Sequence, residues 1–257
     1  MGCIRASQLL GLLALNACAG RAFELVVNRR QSPGGRLCYS DTWASGVTKS
    51  ETCLTASYDA SDLTLRFNAT RDMVQRNAYD MCNEDVFNQE VVEVFITSDV
   101  DQSPIEKYYE VELTPKGIPW VGLDSNPGGN RSNLTHVLQA CGAVGTRIVG
   151  RSAHWWVGEM KLPFSLIGEG KRMPDGSRHF RANFFRVQMN PGAWSDKAVT
   201  RDMMCGPNNC TYLCASCPNT VLPDFHQSQF FGTIALKSGT PPGPRPSGTS
   251  AAQPTQS

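Results

Sequence analysis

Residues that carry chemistry are scarce in this chain. Histidine occurs only four times, at His136, His154, His179 and His226, with no metal-pair spacing. No Ser stands in a Gly-x-Ser-x-Gly elbow, no His-Glu-x-x-His helix is present, and no Gly-rich loop ends in Gly-Lys-Ser/Thr. Those absences exclude the common serine hydrolases, helical zinc proteases and phosphate-loop enzymes. An excess of one charge is also missing, with 24 basic and 23 acidic residues in 257, which argues against nucleic acid or an anionic membrane as partner. The longest apolar run, Leu9 to Leu15, is too short to span a bilayer. No internal repeat and no sustained 3.6-residue periodicity occur, so an all-helical body is excluded.

What is plentiful is cysteine, ten in all. Its meaning depends on compartment. Arg5, the Leu9–Leu15 run and the small residues Ala17-Cys18-Ala19 or Gly20-Arg21-Ala22 read as a secretion signal over residues 1–22. Met1-Gly2-Cys3 resembles an acylation start, but Ala6 stands where Ser or Thr is required. Without the leader the formal charge becomes −1, because Arg5 and Arg21 leave with it. Eight cysteines remain: Cys38, Cys53, Cys82, Cys141, Cys205, Cys210, Cys214 and Cys217. An even number in an exported chain reads as disulfides, although eight cysteines allow about 105 connectivities. The Cys205–Cys217 cluster offers zinc or redox spacing as alternatives, and the oxidising compartment favours disulfides that staple a 196–220 insertion lacking its own core. That insertion is then the part expected to loosen first on reduction. Sequons at Asn68, Asn130, Asn133 and Asn209 fit a secreted, extracellular glycoprotein.

Three segments organise the chain: the leader, a body over 23–237, and a Pro/Gly/Ser/Thr-rich tail over 238–257 that is expected to be disordered. The body is large enough for one core. Asp62 to Asn68 alternates cleanly, with Leu63, Leu65 and Phe67 on one face and Thr64, Arg66 and Asn68 on the other. Val92, Val94 and Ile96 oppose Val91, Glu93 and Phe95; Val111 and Leu113 oppose Glu110 and Glu112. All three runs read as central strands. Further strands are expected over 118–123, 146–150, 155–162, 179–188 and 230–236, separated by turns such as Asn126-Pro127-Gly128-Gly129. The fold class is therefore all-β, a disulfide-stapled two-sheet antiparallel sandwich of immunoglobulin or jelly-roll type.

Six short patterns occur in a fixed order. They are Phe-x-x-Glu-x-Val-Glu-Val-Phe-Ile at 87–96, Tyr-Tyr-Glu-Val-Glu-Leu-Thr-Pro at 108–115, Trp-x-x-Glu-Met-Lys-Leu-Pro-Phe at 156–164, Arg-Ala-Asn-Phe-Phe-Arg at 181–186, Ala-Trp-Ser at 193–195, and Phe-His with Phe-Gly at 225–232. In that order they resemble the family 9 carbohydrate-binding module and its DOMON-related relatives. The resemblance implies a sandwich that binds oligo- or polysaccharide without cleaving it, needs no cofactor for binding, and works beside a carbohydrate-active enzyme in polysaccharide breakdown. It places stacking aromatics at Phe87 and Trp194 and a polar contact at Glu93. The family's arginine falls on Glu110, which replaces five donors with an acceptor, so Asn183 and Arg186 are the candidates for the missing donors. A structural calcium is also implied, with the Asp99-Val100-Asp101 loop as its candidate site.

Other readings compete with this one. Glu93, Glu110 and Glu112 lie on outward strand positions, where solvated carboxylates are the default. Glu90, Glu93, Glu110 and Glu112 have the number but no signature of a glycosidase pair. Of the adjacent Trp155 and Trp156, the second is expected in the core. A haem-binding electron-transfer sandwich is the alternative from a different class, with Met73, Met81, Met160 and Met189 as axial candidates. A structural surface or cell-wall protein is the third.

Overall fold

The computed structural model describes residues 22–29, 35–39, 51–70, 77–190, 199–206, 208–217 and 223–237. Trp194, the leader and the tail lie outside them. The three alternating runs form β4 (Asp62–Thr70), β5 (Val91–Thr97) and β6 (Lys107–Leu113). The other expected strands are β7 (Pro119–Ser125), β9 (Gly145–Ser152), β10 (Trp155–Pro163), β12 (Arg178–Met189) and β14 (Gly232–Lys237). The sequence did not announce β1 (Glu24–Asn28), β2 (Gly35–Tyr39), β3 (Thr52–Tyr58), β8 (Thr135–Leu138), β11 (Lys171–Arg172) or β13 (Cys210–Cys214). The helix α1 (Phe164–Ile167) is a single turn.

The strands form two sheets. One has five strands in the order β2-β3-β4-β10-β9; the other has nine, running β1-β14-β12-β5-β6-β7-β8 with β11 and β13 attached to β12. Strand β12 is long enough to hold β14 along its first half and β13 along its second, while β5 lies on the opposite side. The named pairings are antiparallel except β1 with β14, which is parallel.

Between the sheets, Leu63, Leu65 and Phe67 of β4 and Trp156 and Met160 of β10 meet Val92, Val94 and Ile96 of β5, Val111 and Leu113 of β6 and Phe184 of β12. All of them are fully buried. Period-2 alternation accounts for this directly, since one face of each strand must enter the core. Burying one such side chain contributes about 1.5–3 kcal/mol. Trp156 is inside as expected, and Trp155 is exposed on the outer face of the five-stranded sheet.

Arg186 also enters the layer between the sheets. It pairs register with Val92 and so faces inward, where its Nε donates to Glu90 Oε1 at 3.0 Å and Nη1 donates to Thr52 Oγ1 at 3.4 Å and the Thr70 carbonyl at 3.2 Å. Glu90 Oε2 accepts the Met189 amide at 3.0 Å. This ion pair is wholly enclosed and bridges the two sheets.

The cysteines pair as Cys38–Cys53, Cys82–Cys141, Cys205–Cys210 and Cys214–Cys217. The expected staple on a coreless 196–220 insertion needs correction. Strand β13 lies within it, and Leu213 belongs to the main core. The two bridges there close segments of only five and three residues, whereas Cys82–Cys141 spans 59.

Candidate functional site

The outer face of the nine-stranded sheet is not open to solvent. Three cross-strand rows line it: Phe185, Glu93, Glu112 and Trp120; Asn183, Phe95, Glu110 and Gly122; and Tyr108, Asp124 and His136. Over them lie the segments 77–90, 199–206 and 223–231, which leave a cavity of about 370 Å³. Phe87 stands at its mouth, 41% exposed, while Phe95, Trp120, Tyr212 and Phe225 form apolar walls and Glu93, Glu110, Arg131, His136 and His226 supply polar groups. Gly122 is required by this floor: the Trp120 ring lies where a Cβ at that position would sit.

The covering segment is pinned by its polar side chains. Asn77 Nδ2 donates to the carbonyls of Val86 at 3.0 Å and Glu90 at 3.2 Å. Gln89 Nε2 donates to the carbonyls of Thr200 at 2.7 Å and Met203 at 2.9 Å, and its Oε1 accepts the Ala78 amide at 2.6 Å. Asn83 Nδ2 donates to the Gln139 carbonyl at 2.7 Å, and Cys82–Cys141 locks the same contact covalently. Buried backbone groups need such partners, and these bonds hold the 3₁₀ turn Val86–Asn88 that carries Phe87 to the rim.

At the back, Tyr108 stacks on Phe95 with ring centres 5.5 Å apart. Its hydroxyl receives a hydrogen bond from Asn126 Nδ2 at 3.2 Å and lies 2.8 Å from His226 Nδ1. Burial first, then Arg131 and His136, push the His226 imidazole down to about 3, so the ring is neutral at physiological pH. Phe185 and Phe225 stack 4.1 Å apart, which fixes the 223–231 segment against the sheet.

The expectation that Glu93, Glu110 and Glu112 are solvated is overturned. Loops bury all three to within 5% of full enclosure, along with Asp124. Burial, then the neighbouring Glu112, holds Glu93 well above the usual carboxylate range, against the opposing pull of Arg131. Glu110 is raised by burial and by Asp124 and Glu112. Burial pushes Glu112 up to about 8, and Asp124 is raised by burial against the opposing pull of Glu110 and His136. His136 Nδ1 lies 2.7 Å from Asp124 Oδ1. Desolvation and like charges act in the same direction here.

The structure brings Phe87, Glu93 and Glu110 to one cavity and leaves Asn183 and Arg186 outside it. Asn183 points to the same sheet face, but its Nδ2 donates to the Ser216 carbonyl at 2.7 Å and its Oδ1 accepts the amides of Phe184 and Ser216. Arg186 is held between the sheets, so neither residue of this pair reaches the cavity, whose wall carries the guanidinium of Arg131 instead. Trp194 falls outside the described residues. Asp101 of the proposed calcium loop pairs with Lys171. Of the methionines, Met160 is in the sandwich core, Met189 is buried beside Cys210, and Met81 is on the surface; none of these three lines the cavity.

A larger groove, about 640 Å³, runs over the outer face of the five-stranded sheet past Arg36, Arg66, Asn68, Trp155 and Glu159. Its carboxylate is compensated, with Glu159 accepting from Arg66 at 2.7 Å and Arg147 at 2.6 Å. Size favours this groove, whereas aromatic walls and perturbed groups favour the smaller cavity as the functional site.

No family model matches the sequence, and no curated protein does. Among solved structures, a candidate carbohydrate-binding protein from Bacteroides uniformis ATCC 8492 superposes with a TM-score of 0.62 at 17% identity, covering 84% of this chain and 100% of the other. A family 9 carbohydrate-binding module from Caldicellulosiruptor kristjanssonii, in complex with cellotriose, superposes at 0.52 and 13% identity, covering 91% of this chain and all of its own. The fold is that of a family 9 carbohydrate-binding module. At such identities it is the architecture that is shared, and the family 9 fold here carries a carboxylate-rich cavity where the resemblance places an arginine.

Proposed function

We propose that this protein is a secreted, non-catalytic carbohydrate-binding module whose site is the cavity on the nine-stranded sheet. The observation that carries the reading is the meeting of Phe87 and Trp120 with Glu93, Glu110 and Arg131 around one cavity. An apolar sugar face can stack on the aromatic rings. Ring hydroxyls can donate to the carboxyl groups and accept from the guanidinium. The C. kristjanssonii module with cellotriose supports the class of ligand. The eight paired cysteines and the leader-like N-terminus support export. Trp194 is assigned the second stacking position on the sequence pattern, and a companion polysaccharide-degrading enzyme is the expected partner.

Binding is preferred to cleavage because the sequence carries no glycosidase signature and the superposed structures are carbohydrate-binding proteins. Each hydroxyl contact nets only about 0.5–1.5 kcal/mol, so stacking is expected to supply much of the affinity. Calorimetric titration with glucose, cello-oligosaccharides and a wider glycan panel tests the reading. Phe87→Ala is expected to weaken the best ligand about tenfold, with no release of reducing ends by the wild type. Absence of binding across the panel, or turnover of a glycoside, contradicts it.

A further inference from the structure

We propose that Glu110, Asp124 and His136 form a binding site for a borderline divalent cation, Zn²⁺ first among them. This goes beyond the sugar reading and does not depend on it. One ligand atom from each residue lies within 4.8 Å of the other two. Ligands about 2.0–2.2 Å from a tetrahedral zinc stand roughly 3.4 Å apart, so small side-chain adjustments suffice.

Register explains why three residues distant in sequence converge. Asp124 of β7 pairs with His136 of β8, and Glu110 of β6 pairs with Gly122, two residues before Asp124 on the same face. The absence of a side chain at Gly122 leaves the space between Glu110 and the neighbouring strand to the Trp120 ring.

The second observation is independent of this convergence. Glu110 Oε2, both oxygens of Glu112 and Asp124 Oδ2 are enclosed and receive no hydrogen-bond donor among the described residues. Contacts of Glu110 with Glu112 and Asp124 join acid to acid, so they become hydrogen bonds only by sharing a proton. The histidine behind Asp124 gives little relief: His226 Nδ1 is 3.6 Å from Asp124 Oδ2 and already meets the Tyr108 hydroxyl. Buried carboxylate oxygens require a proton or a cation. The side chain of His136, 39% exposed, opens the cluster to the cavity.

The donor set selects the ion. An imidazole nitrogen disfavours Ca²⁺ and Mg²⁺, which take oxygen shells, and suits Zn²⁺ or its first-row neighbours. Three protein ligands leave a position for water or a ligand entering from the cavity.

The test uses the mature, disulfide-intact protein without a polyhistidine tag, stripped with chelator and titrated with ZnCl₂ by calorimetry and thermal melting. One zinc per chain and a raised melting temperature are expected, together with at least about tenfold weaker binding in His136→Ala and in Glu110→Gln. Both variants should fold, since His136 is at an edge and Glu110→Gln removes a buried charge. Overturning results are absence of saturable zinc binding by the wild type, binding by both variants as tight as the wild type's, or saturation by Ca²⁺ alone. The first of these would leave the carboxyl cluster neutralised by shared protons.

Discussion

Two strand carboxylate settings on opposite outer faces of the sandwich behave in opposite ways. On the five-stranded sheet, Glu159 has Arg66 and Arg147 to either side, and although burial opposes them the two guanidinium groups hold its carboxyl below the usual range. On the nine-stranded sheet, Glu93, Glu110, Glu112 and Asp124 are raised by burial, with no enclosed cation among the described residues to match their number. In the first arrangement a buried carboxylate is stitched to two half-exposed guanidinium groups. The second stores unfavourable electrostatics that a structural role does not require, and such uncompensated groups mark sites where a ligand, proton or cation completes the environment.

The covalent staples differ between the faces too, and the largest expected effect follows from them. Cys82–Cys141 closes a 59-residue separation and ties the cavity's cover to the sheet, whereas Cys38–Cys53 joins directly opposed residues of β2 and β3 across 15. Loop-closure entropy assigns about 4 kcal/mol to the first and about 3 kcal/mol to the second. Denaturant melts of the two double Cys→Ala proteins should show both losses, and only the Cys82/Cys141 protein should also lose cavity ligand. Equal ligand affinity in the two would separate the cover from the site.

Next in size is the response to pH in the presence of chelator. A carboxyl whose folded pKa is raised binds more protons in the native state than in the unfolded one, so stability falls as pH rises between the two values. For Glu112 that window runs from 4.5 to about 8. Glu112→Gln should flatten the decline and stabilise the protein at pH 8 by a few kcal/mol, roughly the order that pKa displacements of this kind represent. A variant less stable than the wild type at pH 8 would break the contrast.

The smallest effect belongs to the compensated face. The lowered Glu159 contributes stability above its unfolded value of 4.5 and loses it as pH falls. Arg66 and Arg147 are 47% and 64% exposed and rehydrate when their partner is removed, so Glu159→Gln should cost about 1 kcal/mol or less. Its sign is opposite to that of Glu112→Gln.

The core was legible in the sequence because alternation is a local signal. Leu65, Phe67, Val92, Val94, Val111 and Leu113 were all placed correctly from period 2 alone. What alternation cannot reveal is whether the second face is covered. The loops over Glu93, Glu110 and Glu112 come from distant segments, so the buried carboxyls looked like surface groups. Trp120, Arg131, His136 and His226 were missed as partners for the same reason, since only strand register and loop closure bring them together. Arg186 was a candidate donor only because Glu110 stands where the resemblance places an arginine; its alternation with Phe184 turns it inward, where Glu90 is its partner. The pattern Phe225-His226 was the one available hint, an aromatic and an imidazole in a segment too short for a strand.

The central claim is that the cavity on the nine-stranded sheet, and not the larger groove, takes the carbohydrate. The most direct measurement is backbone amide chemical-shift mapping on isotope-labelled protein titrated with the best-binding oligosaccharide of the glycan panel. The account predicts the largest shifts at Phe87, Glu93, Glu110, Trp120 and His136, moved to about tenfold higher ligand concentration by Phe87→Ala and unchanged in Trp155→Ala. Shifts centred on Thr55, Arg66, Val149 and Trp155, removed by Trp155→Ala, would contradict it.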